Sequence, residues 1–510
     1  MRLWQFNGGL PALAEHKNES VNLPIEAAPV PAQLIYPLRQ HIGNAAKPLV
    51  KIGDKVLRGQ KIADAQGMIS APIHAGSSGT VSHIADHLIP HPSGFSAPCI
   101  TIDTDGLDKT LDSTPYADFR QLSASELVSI VRNAGIVGLG GAAFPTAIKL
   151  DNQSKSRHIE TLILNGAECE PYISCDDRLL KERADRVIEG VEILLHILGA
   201  NKAFIAIEDN VADTFKSIQT AIANNGNSLI NAVQIPTIYP TGGEKQLIQT
   251  LTGKEVPSGD IPADIGIVSI NVGTVHAIQQ AVIAGKPLTS RIITVTGEGV
   301  TTPHNLDVRI GTPINALIEL CNGYTKLAER LIMGGPMMGF ALLNDEIPVV
   351  KATNCILVAS KHEVITEKQA MPCIRCGLCA SACPVSLLPQ QLYWFSRSEQ
   401  LEKAEKLNLF DCIECGCCDV VCPSHIPLVQ HFRYAKSALK VKNYEKHSSD
   451  IARERFEARE ERLARDKAER AERSRKKKAA LKNEPAKKEA IDAAISRSKA
   501  KKQASVEDKS

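Results

Sequence analysis

CIRCGLCASACP, residues 373–384, and CIECGCCDVVCP, residues 412–423, are two copies of one pattern, CxxCxxCxxxCP. In each copy three closely spaced thiolates can wrap one face of an iron-sulfur cubane, while the fourth cysteine is followed by Pro384 or Pro423, which turns the chain away. Where such runs are paired, the fourth cysteine of each reaches the cluster of the other. The spacing therefore predicts one [4Fe-4S] cluster on Cys373, Cys376, Cys379 and Cys422, and a second on Cys412, Cys415, Cys418 and Cys383. Structural zinc is the rival reading, because CxxC pairs also bind zinc, but zinc has no use for a third CxxC step or a duplicated trailing CP. Cys417 would turn the second run into CxxCxCxxxxC, so the pattern favours Cys418. A chain so equipped moves single electrons.

Around these runs, residues 365–435 read as a small ferredoxin-like domain, with a helix-like stretch from Leu387 to Leu407 between the two clusters. Residues 445–510 are almost wholly Ala, Glu, Lys and Arg. Pairs such as Glu461 with Arg465 favour a helix, yet no apolar stripe runs along it, so this tail is either a solvated helix or disordered. From Ile451 to Ser510 there are 20 Lys and Arg against 12 Asp and Glu, a surplus of +8; the preceding 450 residues hold 39 against 45, or −6. A basic run of this kind is most simply a solubilising extension, with an acidic partner or anionic lipid as the alternative.

Upstream, from about Ser123 to Gly285, helices and strands alternate: helix Glu126 to Ala134, strand Thr161 to Asn165, helix Arg178 to Leu198, strand Ala203 to Glu208, strand Ile267 to Val272 and helix Val275 to Ala284. That alternation predicts an α/β sheet covered on both faces. GIVGLGGAAFPTAIKL, residues 135–150, contains a formal GxGxxA but follows a helix rather than a strand, so it fails the context of a dinucleotide fingerprint. Its glycines still let backbone N–H groups approach a phosphate or flat ring. NGAECEPY, YPTGGEKQL and INVGTVHAI, further along, add loops at strand ends and helix starts, where α/β folds hold phosphates.

Residues 34–115 read as short β segments broken by Gly and Pro, a small barrel-sandwich like the lipoyl module. The turn that would present a modifiable lysine holds Gln66, Gly67 and Met68 instead, so a structural role follows. Residues 290–345 resemble a β-grasp, and residues 1–33 form an N-terminal extension. The fold class is therefore α/β multidomain: barrel-sandwich, α/β domain over 116–289, β-grasp, two-cluster ferredoxin and charged tail.

At 510 residues the chain has room for several cores. Its 4% aromatic content leaves little stacking surface for nucleic acid, so no nucleic-acid partner is expected. No stretch reaches the roughly 18 apolar residues of a membrane span. Eight of the 14 cysteines lie in the two runs, which fits a reducing cytosol better than a disulfide framework; the other six read as ordinary thiols.

GLGGAAFPT, NGAECEP, YPTGGE and INVGT, in that order, resemble the flavoprotein subunit of respiratory complex I. With the lysine-less barrel-sandwich, β-grasp, two-cluster ferredoxin and Ala/Lys-rich tail, the whole chain resembles the C-subunit family of the Rnf (Rsx) ion-translocating electron transport complex. That resemblance implies FMN held by Gly138, Gly140, Gly141, Lys149, Asn165, Glu168, Tyr239, Glu244, Asn271 and Thr274. It further implies that Phe144 stacks on NADH and Glu170 bonds it. Val137, Leu139, Ala167 and Gly243 stand where the complex I pattern carries charged residues.

The implied role is an electron-input subunit in which hydride passes from NADH to FMN and electrons leave singly through the clusters, with no catalytic side chain. Its partners would be the other subunits of the complex, membrane-embedded ones included, and ferredoxin if the flow runs backward. Its place would be peripheral, on the cytoplasmic face of the bacterial inner membrane. Two rivals stay open: a microcompartment cobalamin reductase with a similar domain arrangement, and a flavin-free electron relay.

Overall fold

Four parallel strands carry the site. They hydrogen-bond in the order Ile230–Ile235, Lys202–Glu208, Thr161–Gly166 and Ile267–Asn271. The three strands other than the edge strand Ile230–Ile235 are close to continuous apolar runs, as a sheet covered on both faces demands. After Thr161–Gly166 the chain moves to one side of the sheet and comes back on the other at Ile267–Asn271. A crevice therefore opens at the carboxyl ends of these two strands, where Asn165 and Asn271 are register partners.

The computed structural model describes residues 2–11, 13, 16–151, 157–364, 369–482 and 485–507. It divides into two units, Met1–Ala435 and Lys436–Ser510. No described helix is long and apolar enough to cross a membrane.

Several helices over the sheet differ in detail from expectation. The first runs Ala124–Asn133 and opens with a capping box, Ser123 and Glu126 satisfying each other's backbone N–H groups. The stretch expected as one helix from Arg178 is two, Cys175–Glu182 and Ala184–Leu198. They are separated at Arg183, whose guanidinium reaches Asp307 at 3.1 Å. Helix Ala212–Asn225 and strand Ile230–Ile235 were not legible: the helix is largely polar, and the strand alternates buried and exposed positions at the sheet edge.

The barrel-sandwich forms from two small sheets, one ordered Gln33–Pro37, Ser96–Thr104, Gly79–Leu88, Lys55–Val56, the other Lys47–Pro48, Lys61–Asp64, Ile73–His74. Leu34, Tyr36, Ile62, Ile73, Val81, Ile100 and Ile102 fill it, and Met68 stands 85% exposed on the turn that lacks a lysine. The β-grasp sheet continues past the expected limit at residue 345, because the apolar segment Cys355–Ser360 is one of its inner strands, parallel to Ser290–Thr296 and antiparallel to Ala328–Met333. Its far edge is Glu26–Ala27, which pairs with His304–Arg309, so the N-terminal extension is built into the body.

Between the cysteine runs, Glu399 at φ +57° breaks the expected single helix into Pro389–Arg397 and Leu401–Lys406. Considered alone, the second unit is helical: it holds most of the helix Leu428–Lys482, together with Pro485–Glu507. Its described side chains are exposed almost throughout, as expected of a helix without an apolar stripe.

Candidate functional site: a glycine-rich cradle beside two four-thiol cavities

The two cysteine runs fold alike. Positive φ occurs at matching steps, Arg375 and Glu414 (58° and 59°), then Gly377 and Gly416 (82° and 80°), then Ser386 and His425 (54° and 49°). In each run the first two ligand cysteines precede a one-turn helix, Leu378–Ser381 or Cys417–Val420, which carries the third, Cys379 or Cys418. One small cavity is lined by Cys373, Cys376, Cys379 and Cys422, and a second by Cys383, Cys412, Cys415 and Cys418. Each draws its fourth thiol from the other run. Backbone N–H groups already point at sulfur: Arg375 N lies 3.4 Å from Cys373 Sγ, and Leu387 N lies 3.3 Å from Cys383 Sγ. Four thiols and N–H donors around one cavity fit a cubane. Cys417 also borders the second cavity; it is fully buried in an apolar cluster with Leu10, Tyr239 and Ala382.

The glycine-rich loop is pinned to the start of helix Val272–Ile283. Leu139 N donates to Thr274 Oγ1 at 2.8 Å, and Gly138 N to the Phe144 carbonyl at 2.8 Å. Asn271 caps the helix, its Oδ1 accepting from Gly273 N and Thr274 N, while its Nδ2 donates to Asp176 at 2.5 Å. A side chain on Gly140 would press Asn271 at 3.3 Å, whereas Gly141, at φ +106°, faces open space. Across the crevice Lys149 pairs with Glu244, and Asn165 Nδ2 donates to the Gly242 carbonyl at 2.8 Å. A bare backbone face, two asparagines and a half-buried lysine fit a flavin nucleotide: the ring can lie against glycine, and the phosphate finds positive potential.

Three expected residues stand in the walls instead. Glu168 accepts from Asp176 N at 3.0 Å and Asp177 N at 3.2 Å, capping helix Cys175–Glu182 from inside. Burial, reinforced by Asp176, holds its carboxyl above the usual range. Glu170 was expected to bond the nucleotide, but Met337 N (3.1 Å) and Met338 N (2.8 Å) of the β-grasp take its carboxylate, and burial pushes its pKa up to about 7. Tyr239 is buried, its hydroxyl donating to the Cys415 carbonyl at 2.7 Å. Phe144 is half-buried at the loop's end.

Sequence reasoning missed two lysines. Lys17 is buried; its Nζ donates to the Glu168 carbonyl and lies 3.2 Å from Glu208 Oε2. Burial lowers its pKa, but Glu208 and Glu168 outweigh that and hold it above its ordinary value. Lys351, fully buried, donates from Nζ to the Pro72 and Gly135 carbonyls, both at 2.7 Å, tying the root of the glycine-rich loop to the barrel-sandwich. Burial pulls it down to about 7. Both act across long sequence separations, and nothing local marks either.

Comparison with known proteins assigns the modules. Residues 4–107 match the RnfC barrel sandwich hybrid domain, 131–280 the Nuo51 FMN-binding domain, 292–341 the SLBB domain and 369–426 the 4Fe-4S dicluster domain. Its cofactors are accordingly FMN and [4Fe-4S] clusters. A solved NAD+-reducing [NiFe]-hydrogenase in the H2-reduced state aligns with 64% of this chain and 65% of its own at 19% identity, with a TM-score of 0.44. The C subunit of the ion-translocating oxidoreductase complex of Serratia proteamaculans is 48% identical over 98% of this chain and 70% of its own length. That of Yersinia pestis is 47% identical over 97% and 79%. The chain belongs to the RnfC family, the C subunits of ion-translocating oxidoreductase complexes, as an electron-transfer subunit.

Proposed function

We propose that this chain is the electron-input subunit of its complex, exchanging electrons between NADH and its partner subunits through FMN and two [4Fe-4S] clusters, at the cytoplasmic face of the membrane. When bound, FMN takes a hydride as an electron pair and passes electrons on singly to the clusters. The observation that carries the reading is the Tyr239 hydroxyl on the Cys415 carbonyl, which joins the cradle's wall to a cluster ligand. In this reading Cys383, Cys412, Cys415 and Cys418 would hold the inner cluster, the first to take electrons from the cradle, and Cys373, Cys376, Cys379 and Cys422 the outer one that would pass them on. Cys376 is the exposed member of the outer set.

In this reading Gly138, Gly140 and Gly141 offer backbone to the flavin. Lys149, Asn165, Asn271 and Thr274 orient it, and Glu244 holds Lys149 in place. Glu168 and Tyr239 support the cradle from behind. Phe144 stacks on the nicotinamide nucleotide. Glu170 meets that nucleotide only by exchanging the Met337 and Met338 amides for it; otherwise it anchors the β-grasp loop over the site. The partners are the other subunits of the complex, membrane-embedded ones among them, with ferredoxin when the flow reverses.

The test is an anaerobic NADH titration of the reconstituted chain followed by absorbance and electron paramagnetic resonance. Flavin bleaching followed by reduction of two clusters is expected. Protein without flavin absorbance, whose clusters stay oxidised under excess NADH, would make the chain a relay instead.

A further inference from the structure

A further cavity of about 840 Å³ borders the cradle at Leu139 and Gly273, but none of Gly138, Gly140, Lys149, Asn165, Tyr239 or Glu244 lines it. Its walls come from the barrel-sandwich at Arg58 and Gly59, the segment 110–113, the helices Cys175–Glu182, Ala184–Leu198 and Val272–Ile283, and the β-grasp at Arg291 and Arg309. The volume lies within the roughly 300–1,000 Å³ of small-molecule sites.

Its charges are unevenly matched. Arg58 and Arg309 share one carboxylate oxygen, Asp108 Oδ2, with Arg309 at 3.0 Å, so the trio keeps a positive charge. Arg183 is matched by Asp307. Arg291, buried, donates to the Lys351 and Leu139 carbonyls rather than to an acid, although Asp176 is close enough to act on it. Arg186 and Lys286 are exposed on the lining and have no carboxylate partner among the described ion pairs. Of the acids that remain, Glu182 is taken by Arg178, while Asp112 and Asp185 are exposed and suit hydroxyl or amine donors. His276 also lines the cavity, and its buried Nε2 has no partner, an uncommon state for a buried polar atom. Burial and Arg183 hold its imidazole neutral, at about 4.

We propose that this cavity is a second ligand site, taking a phosphorylated metabolite of nucleotide size whose phosphates lie among Arg58, Arg186, Lys286 and Arg309. Guanidinium forks match phosphate oxygens two at a time, and an ammonium adds a point charge, so this set selects phosphate over a neutral ligand. Asp176 lines the same cavity and accepts from Asn271, so the new site and the flavin cradle share a wall.

The test titrates the full chain, loaded with FMN and clusters, with ADP and then with inorganic pyrophosphate, by calorimetry under anaerobic conditions. Saturable ADP binding displaced by pyrophosphate is expected. Binding should weaken roughly tenfold or more in Arg186→Glu/Lys286→Glu while FMN content stays the same. The milder Arg186→Gln, at an exposed position, should weaken it in the same direction and covers the case in which the double variant misfolds. No saturable binding, no displacement by pyrophosphate, or equal affinity in wild type and Arg186→Gln would each overturn the proposal. FMN loss alone would count against the cradle, not this cavity.

Discussion

The Tyr239 hydroxyl donates to the Cys415 carbonyl at 2.7 Å, joining the third loop of the cradle to the second cysteine run across 176 residues. Burial, with Glu170 nearby, holds the phenol far above its ordinary pKa, so it is a donor at every working pH. Tyr239→Phe removes only the hydroxyl, at a cost of about 1 kcal/mol. If the contact fixes the path between cradle and cluster, stopped-flow mixing with NADH will show unchanged flavin bleaching and cluster reduction slowed about fivefold. Equal cluster reduction in wild type and variant would remove this contact from the path.

Asn271 does two jobs, capping helix Val272–Ile283 and holding Asp176. Asn271→Ala forfeits the cap, worth about 1 kcal/mol, and leaves Asp176 without its amide. FMN affinity, read by flavin fluorescence on reconstitution, should fall roughly five- to tenfold. Asn271→Asp restores the cap but sets two acids side by side, so it should recover helix stability and not flavin binding. Full flavin retention in Asn271→Ala would place the cap outside the cradle.

What was legible in the sequence was local. The cysteine runs are read by spacing alone, and Asn271 shows as a polar residue closing an apolar strand before a helix. The use of Glu170 could not be read, because its partners Met337 and Met338 lie more than 160 positions away in another module. The strand Cys355–Ser360 follows an irregular segment, and no short-range pattern says that it completes the β-grasp sheet. The break at Arg183 answers to Asp307, a residue of that same sheet. Long-range polar contacts decided the use of Glu170 and the break at Arg183.

Two buried groups give the fold opposite pH dependences. Glu170 rises from its ordinary 4.5 to about 7, so the stability it contributes is full below about 4.5 and lost as pH climbs through 7. Lys351 falls from 10.5 to about 7, so its penalty is full below 7 and relieved as pH rises toward 10.5. One proton's difference changes stability by at most about 1.4 kcal/mol per pH unit. Thermal midpoints at pH 5, 7 and 9 should show Glu170→Gln flattening the acid-side slope and Lys351→Met the alkaline one. Lys351→Met should also lower FMN retention, since the Gly135 carbonyl loses its donor. A Lys351→Met profile parallel to wild type from pH 7 to 9 would mean the lysine is not held near 7.

Cross-ligation makes the sharpest prediction, because it separates a cysteine's place in the sequence from the cluster it serves. Cys383 ends the first run, yet it lines the cavity of Cys412, Cys415 and Cys418, while Cys422 ends the second run and lines the cavity of Cys373, Cys376 and Cys379. Cys383→Ser should therefore abolish the same paramagnetic signal as Cys412→Ser, and Cys422→Ser the same as Cys373→Ser, each with loss of about half the iron. The order of transfer adds a second readout. Without the inner cluster, NADH should still bleach the flavin but leave the outer cluster oxidised, whereas without the outer cluster the inner one should still be reduced. Cys417→Ser should leave both signals in place, since its thiol packs against Leu10, Tyr239 and Ala382. Loss of a cluster in Cys417→Ser but not in Cys418→Ser would reassign the ligand, and pairing of Cys383→Ser with Cys373→Ser would refute the exchange between runs.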